Sequence, residues 1–367
     1  MKKVFIMNHG LASGGTDSFV INVAKGLDKN TWDVAVVLAV DDTGHKQFRE
    51  EEITRLGIPV YRTCDLDNVR KVFQHGWKLY RLLKKYKVDV FHSNMDLMNG
   101  VNCFIAWLAG VKIRVCHSHN SSSQYEEKTG KHFVVGIYRL FMRALICLFS
   151  NRKCGCSSSA MSYLYGTNWE RKGSTTIINN GIDTQKFAPR KQNAQRNPSC
   201  YNIVSVGRLA NQKNPFFAVD VIESLLQLRQ DFIYYWIGCG ELQNSVKIII
   251  HEKNLEGFVQ MLGARKDLNI ILPQCDALLM TSYFEGLPIA LVEAQASGLP
   301  CVVSDTITRE VDCGGCIFMS LDEPANKWAT ILSNLLDGTI TFSIDQDRIK
   351  KFDVKYMIGQ IEKVYTA

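Results

Sequence analysis

The sequence predicts an α/β protein of two Rossmann-like domains, each a parallel sheet with helices on both faces. Three observations predict it. The chain has 367 residues, room for two domains of ordinary size. Short apolar runs alternate with helix-period segments through the first half, and the same alternation recurs in the second, the pattern of parallel βαβ units. A polar, Pro-bounded break at Asp183–Asn197, with P-R-K-Q-N-A-Q-R-N-P at its end, separates the two series. The expected domains are 1–183 and 184–346.

Lys3–Met7 and Trp32–Val40 are apolar, β-rich runs, and Thr16–Leu27 between them has helical periodicity. Val88–His92, Ile113–His117 and Lys153–Ser157 follow as short strands parted by helical stretches. Phe133–Phe149 is the longest apolar stretch, but Arg139 and Arg143 break it. A spanning helix needs about 20 apolar residues with few charges, so this one is expected to be a core helix with one cationic stripe. In the second half Tyr201–Val206, Phe232–Gly238, Val259–Leu262, Ala277–Thr281 and Pro300–Ser304 read as strands. Asp347–Tyr365 has helical spacing.

Hydrophobic content of 46% and charged content of 22% are those of a soluble globular protein. Met1-Lys2-Lys3 leads straight into V-F-I-M, too short for a signal-peptide core, so a cytoplasmic location is expected. The twelve cysteines are scattered, several inside apolar runs, and read as reduced thiols. Cys313-Gly-Gly-Cys316 has metal-ligand spacing and Cys154-Gly-Cys156 is a tighter pair, but zinc needs two such pairs or added histidines. Residues 1–190 carry 27 Lys+Arg against 16 Asp+Glu, a net +11; the remainder is net −4. A basic first half suits an anionic membrane face or an anionic acceptor. No nucleic-acid motif accompanies it, so no nucleic-acid partner is expected.

Two motifs carry the chemistry. In T-S-Y-F-E-G-L-P-I-A-L-V-E, Thr281–Glu293, a Glu-Gly-Leu-Pro corner opens a helix near Pro288. Its N-terminus offers unpaired N–H groups and a positive dipole end to a polar ligand. Glu285 sits on the corner, and Glu293 lies about a turn and a half into the helix, where a carboxylate can accept vicinal hydroxyls. In S-V-G-R-L-A-N-Q-K-N-P, Ser205–Pro215, a strand ends at Gly207, and Arg208 and Lys213 precede the next helix. Two cations there make a diphosphate cradle: Arg forks onto two oxygens and Lys adds a point charge.

These pieces resemble the retaining glycosyltransferases of family four, which have the GT-B fold: two Rossmann-like domains whose parallel sheets face across a cleft. The likeness rests on G-R-L-x-x-Q-K-N, F-E-G-L-P-x-x-L-V-E-A, A-S-G-L-P-C-V-V-S-D (Ala296–Asp305) and N-N-G-I-D-x-x-x-F (Asn179–Phe187), and runs nearly end to end. It implies a nucleotide-diphosphate sugar donor, a UDP-sugar by preference, and no metal or other cofactor. Arg208 and Lys213 would neutralise the leaving diphosphate. Glu285, with the N–H groups of Gly286 and Leu287, would hold the sugar, Glu293 the ribose, and Gly263–Arg265 would lie against the base. The glycine loop H-G-L-A-S-G-G-T-D, His9–Asp17, lets Gly14 and Gly15 approach a phosphate or acceptor closely. In V-C-H-S-H-N-S, strand alternation puts His117 and His119 on one face; His119 is taken as the functional member near the donor sugar. A metal site there lacks a carboxylate within a few residues. The last helix, about 347–367, is expected to cross back onto the first domain.

Within the family, V-x-H-S-H-N, A-R-K-D-L (Ala264–Leu268) and the A-Q-A-S-G-L-P-C-V-V-S-D tail look most like bacterial capsule and exopolysaccharide enzymes. Those extend a polyprenyl-diphosphate-linked oligosaccharide at the cytoplasmic membrane face. Asp41–Glu52 and Ser121–Phe133 are the pieces expected to set acceptor specificity. Three other readings stand beside it: a transferase with a soluble acceptor, a non-catalytic nucleotide-sugar-binding partner subunit, and a nucleotide-sugar 2-epimerase. The presence of Arg208, Lys213, Glu285 and Glu293 together speaks against the second.

Overall fold

The computed structural model describes residues 1–12, 14–120, 132–189 and 200–367. The Pro-bounded segment from 190 and most of Ser121–Phe133 therefore lie outside the described residues. The chain divides into two compact units, Met1–Gly181 with Val354–Ala367, and Ile182–Asp353.

The first unit is built on β1 (Lys2–Asn8), β2 (Trp32–Leu38), β3 (Val60–Arg62), β4 (Val90–Ser93), β5 (Ile113–Ser118), β6 (Arg152–Gly155) and β7 (Thr175–Ile177). They form one sheet in the order β3-β2-β1-β4-β5-β6-β7, with every neighbouring pair parallel. A parallel sheet covered on both faces needs apolar side chains on both, which is why β1 reads V-F-I-M without alternation. Val4 and Ile6 enter one core with α1 (Gly15–Gly26); Phe5 and Met7 enter another, opposite, with α3 (Val69–Tyr86) and α4 (Asn99–Leu108). A short α2 (Glu51–Thr54) precedes β3, and α5 (His132–Phe149) and α6 (Ser158–Tyr165) flank β6.

In α5 the structure reverses the expectation. Arg143 turns inward, its guanidinium donating to the carbonyls of Tyr163 and Leu164, and Arg139 lies 5.3 Å over the Tyr163 ring. Met142 and Ile146 are buried, while Leu140 and Leu148 are 72% and 73% exposed. The cations serve the packed side and much of the apolar surface faces outward.

The second unit holds β8 (Tyr201–Val206), β9 (Phe232–Ile237), β10 (Val259–Gly263), β11 (Ala277–Met280), β12 (Cys301–Ser304) and β13 (Cys316–Met319), in the parallel order β10-β9-β8-β11-β12-β13. Its helices are α7 (Pro215–Leu226), α8 (Gln243–Glu252), α9 (Leu268–Ile271), α10 (Ile289–Ala296), α11 (Ala325–Leu336) and α12 (Gln346–Lys350). The three strands that the sequence reading passed over, β3, β7 and β13, are edge strands of three or four residues, half-buried throughout.

The single helix expected from Asp347 is two. It breaks at residues 351–353, where the Phe352 carbonyl accepts the Ile182 N–H at 2.8 Å. Beyond the break, α13 (Val354–Thr366) buries Met357, Ile358, Ile361, Val364 and Tyr365, at spacings of three and four, in the α1 core. All twelve cysteines are free thiols, and among the described residues no helix is long and apolar enough to cross a membrane. The Cys313-Gly-Gly-Cys316 turn is held by the buried amide of Gln295, whose Oε1 accepts from the Cys313 N–H at 2.7 Å.

Candidate active site

In an open parallel sheet the ligand position lies at the strand carboxyl ends where the order reverses. In the second unit that point falls between β8 and β11, neighbours in the sheet although 70-odd residues apart in the chain. The loop after β8 carries Arg208 and Lys213; the loop after β11 carries Ser282 to Leu287. The two are stitched together. Tyr283 N–H donates to the Gln212 carbonyl (2.9 Å), Gln212 Nε2 to the Phe284 carbonyl (2.9 Å), and Thr281 Oγ1 to the carbonyls of Lys213 (3.2 Å) and Asn214 (3.0 Å). On the other side Ser304 Oγ (2.5 Å) and Thr306 Oγ1 (2.9 Å) both donate to the Ser282 carbonyl.

This stitching brings Lys213 Nζ onto the Glu285 carboxylate in an ion pair. Glu285 is 8% exposed, and the Lys213 side chain retains 19%. Sequence reasoning gave the two residues separate tasks and missed their pairing, because the pair exists only once β8 and β11 are neighbours. Arg208 is exposed on the same loop. Lys213 closes a short 3-10 turn, Asn211–Lys213; Asn214 follows in the left-handed region (φ 49°) and Pro215 opens α7. A small pocket at these strand ends is lined by Ser205, Lys213, Trp236, Thr281 and Ser282. Ser282 is 1% exposed, and its hydroxyl has no hydrogen-bond partner among the described residues.

Pro288 stands one residue outside α10, as its N-cap, with Gly286 and Leu287 buried before it. Glu293 is the fifth residue of the helix and half-buried. Gly263 ends β10 at φ 68°, its carbonyl accepting from the Gly238 N–H at 2.8 Å. Arg265 is exposed and forks onto the Asp267 carboxylate (2.9 and 2.6 Å).

The second glycine segment of this unit, Gly238-Cys-Gly240 after β9, was not singled out from the sequence, although a G-x-G after a strand was the available signal. A Cβ on Gly238 would stand 2.0 Å from the Gly207 carbonyl oxygen, and one on Gly240 would stand 2.2 Å from that of Leu209. Backbone cannot yield as a side-chain tip can. Gly238→Ala is therefore expected to displace the Gly207–Leu209 turn and cut turnover at least tenfold, with a melting temperature lowered by several degrees. Wild-type kinetics in that variant would show that the Arg208 loop tolerates movement.

In the first unit the glycine loop is organised by Asp17. Its Oδ2 accepts from the N–H groups of Ala12 (3.1 Å) and Gly14 (2.9 Å), and its Oδ1 from Asn8 Nδ2 (2.9 Å). Burial pushes this carboxyl up against the opposing pull of those donors. The Gly14 N–H is thus engaged by the protein's own carboxylate, while Gly14 and Gly15 both remain exposed and Gly15 opens α1.

His117 and His119 do share a face, their rings stacked at 4.4 Å. A third ring, His92 from β4, extends the stack at 5.3 Å from His117. His92 Nε2 meets His117 Nδ1 at 3.1 Å, and His92 Nδ1 meets the Tyr365 hydroxyl at 2.7 Å. Burial pulls His92 and His119 down to about 3, and His117 well below its ordinary value, so all three are neutral. Asn94 Nδ2 donates to the Met7 carbonyl (3.1 Å), which leaves its Oδ1 to accept from His119 Nε2 (2.9 Å). This pattern assigns the His119 proton to Nε2 and leaves Nδ1 as an acceptor. His119 Nδ1, His117 Nε2 and Asn180 Oδ1 are buried short of hydrogen-bond geometry, although Asn180 lies near enough to His119 to oppose the pull of burial on its ring. A carboxylate missed in the sequence also reaches this strand end, since Asp96 Oδ1 accepts from the His119 N–H at 3.0 Å. Among the described residues no group of three or more His, Cys, Asp or Glu is arranged to hold a metal ion.

Each unit is thus a doubly wound parallel sheet, with a histidine cluster at the strand ends of the first and a cation–carboxylate pair at the switch point of the second. The chain belongs to glycosyltransferase family 4: residues 13–186 match the model described as Glycosyltransferase Family 4, and residues 188–310 that described as Glycosyl transferases group 1. EpsF of Bacillus subtilis (strain 168), named as a glycosyltransferase, is 30% identical over 99% of this chain and 96% of its own. The Escherichia coli UDP-Gal:alpha-D-GlcNAc-diphosphoundecaprenol alpha-1,3-galactosyltransferase is 31% identical over 62% of this chain and 60% of its own. Among solved structures, Anabaena HepE in complex with UDP and glucose has a TM-score of 0.80 at 17% identity, with both chains covered completely.

Proposed function

We propose that this enzyme is a retaining, metal-independent glycosyltransferase. It moves a sugar from a UDP-sugar to a hydroxyl of a polyprenyl-diphosphate-linked oligosaccharide in capsule or exopolysaccharide synthesis. The observation that carries the donor half is the Lys213–Glu285 pair beside the exposed Arg208 at the β8/β11 switch point. A diphosphate placed there meets two preorganised cations as negative charge grows on the leaving oxygen, usually the largest catalytic term. Glu285 is close enough to Lys213 to share it, so one carboxylate can orient the cation and accept a sugar hydroxyl. Glu293 takes the ribose hydroxyls, Gly286 and Leu287 offer N–H groups, and Gly263 with Arg265 borders the base. His119 Nδ1 and Asn180 Oδ1 are both acceptors, suited to a sugar O–H donor.

Retention by double displacement needs a carboxylate nucleophile at the anomeric carbon. Two carboxylates near the strand ends of the first unit, Asp17 and Asp96, are each tied by backbone and amide donors. Their engagement favours same-face attack, in which the departing phosphate oxygen takes the acceptor's proton as the new C–O bond forms. The Escherichia coli relative's name supports the lipid-linked acceptor, and that name together with the UDP complex of HepE supports the UDP donor.

Thermal shift with UDP, GDP and ADP, then with UDP-sugars, each with and without EDTA, tests this. UDP at 100 times its Kd stabilises by about 2.7 kcal/mol, which raises Tm by roughly 5–10 °C for domains of this size. The rise is expected to be indifferent to EDTA and reduced in Glu293→Ala. No shift with any nucleotide overturns the donor assignment; loss of the shift in EDTA overturns metal independence.

A further inference from the structure

We propose that the outer surface of α3, α4 and α5 docks the enzyme onto an anionic bilayer, with aromatic and aliphatic side chains entering the interface and α3 cations meeting lipid headgroups. The proposal rests on the lipid-linked acceptor reading for its purpose and locates the contact in named residues.

α3 reads V-R-K-V-F-Q-H-G-W-K-L-Y-R-L-L-K-K-Y. Its inner face, His75, Leu79 and Leu83, is buried. Its outer face carries Phe73 and Trp77, one turn apart and 77% and 62% exposed. Burying such rings in the core would remove from water surface worth about 25 cal/mol per Å²; the fold instead leaves them outward. Between Asn68 and Val88 the chain has seven Lys or Arg and no Asp or Glu. Lys71 and Lys78 are engaged with Asp41 and the Thr63 carbonyl, whereas Arg70, Arg81, Lys84, Lys85 and Lys87 are exposed around the aromatic pair.

The neighbouring helices continue the surface. α4 packs between α3 and α5 and exposes Trp107 and Leu108 at its end. α5 exposes Ile137, Leu140, Phe141, Ala144 and Leu148, at spacings of three and four along one side of the helix. A helix with an apolar stripe, flanking aromatics and Lys/Arg on its polar margin lies in the plane of a membrane surface rather than crossing it. Charge selects among occupants. A symmetric dimer through α3 would set its cations against their own copies. An anionic headgroup layer instead gains from each cation near it, about fivefold in partition.

The test is vesicle flotation of the full chain, with phosphatidylcholine vesicles alone and with phosphatidylglycerol added. Wild type is expected to float with the anionic vesicles at least tenfold better than with the neutral ones, and added salt should weaken the binding. Phe73→Ser with Trp77→Ser, and separately Arg81→Glu with Lys84→Glu and Lys85→Glu, should lose that binding, the charge reversals by about 100-fold or more. Both variants should keep the wild-type CD spectrum and UDP thermal shift, because none of these residues is placed at the donor site. Absence of flotation, or variants that float as well as wild type, overturns the surface even where UDP still binds. So does a concentration-dependent dimer that Trp77→Ser dissolves. Loss of the UDP shift in wild type is a failure of the donor reading instead.

Discussion

Arg208→Ala and Lys213→Ala are each expected to lower kcat/KM for sugar transfer by about 10²–10³-fold, the cost of removing one preorganised group aimed at developing charge. Their effects on stability should part company. Arg208 is exposed, and its truncation should leave the melting temperature unchanged. Lys213 holds the buried carboxylate of Glu285 in an ion pair. Removing the cation leaves that carboxylate desolvated and short of a donor, which costs about 1–3 kcal/mol. The double variant Lys213→Ala/Glu285→Ala should recover part of that stability and none of the activity. This separates a catalytic pair from a merely structural one. Near-normal turnover in both single variants would sink the diphosphate assignment, and a double variant no more stable than Lys213→Ala would sink the pairing argument.

The first unit is expected to lose stability steeply in mild acid. His92, His117 and His119 are almost wholly removed from water, and burial holds all three below the ordinary histidine value of about 6.5, two of them at about 3. The unfolded chain takes up protons as pH falls through about 6.5, while the folded chain does not. Stability is thus fully present above that value and declines as pH falls toward the folded values. Each neutral histidine contributes a slope of about 1.4 kcal/mol per pH unit in that window, so three give up to about 4. At that slope a domain at the low end of the usual 5–15 kcal/mol range unfolds about one pH unit below 6.5, and one at the high end nearly four. Protonation in place is no escape, since it would set cations in rings stacked at 4.4 Å. Urea melts at a series of pH values give the slope directly. His92→Gln, which keeps a polar group between Tyr365 and His117, should lower it by about one third. A flat profile between pH 7 and 5 would show that water reaches the stack.

Much of this was legible beforehand, for a definable reason. Strand and helix identity followed from period, so β1, β2 and β8 were found where apolar runs are long, while β3, β7 and β13, short edge strands that are only half-buried, were not. Glu285, Arg208 and Lys213 were singled out from their loops, and the structure places all three after the parallel strands β8 and β11. The face shared by His117 and His119 followed from alternation alone. His92 and Asp96 were missed because each owes its role to a neighbour from another segment, His117 and His119, 25 and 23 residues away; Asp17 was quoted only as the end of its glycine loop, and its part in tying that loop was missed.

The sequence alone determined the two α/β series and the family, and named the candidate residues in the loops after β8 and β11, because periodicity and turn chemistry are local. Only the tertiary structure decided which groups act together. Sheet order made neighbours of β8 and β11 and so paired Lys213 with Glu285. Return of α13 to the first unit put Tyr365 against His92. The packing of α5 turned Arg143 inward and left Leu140 and Phe141 facing out, the reverse of what its composition suggests. Composition fixes how much apolar surface a helix has; only its neighbours fix how much of that surface they can cover.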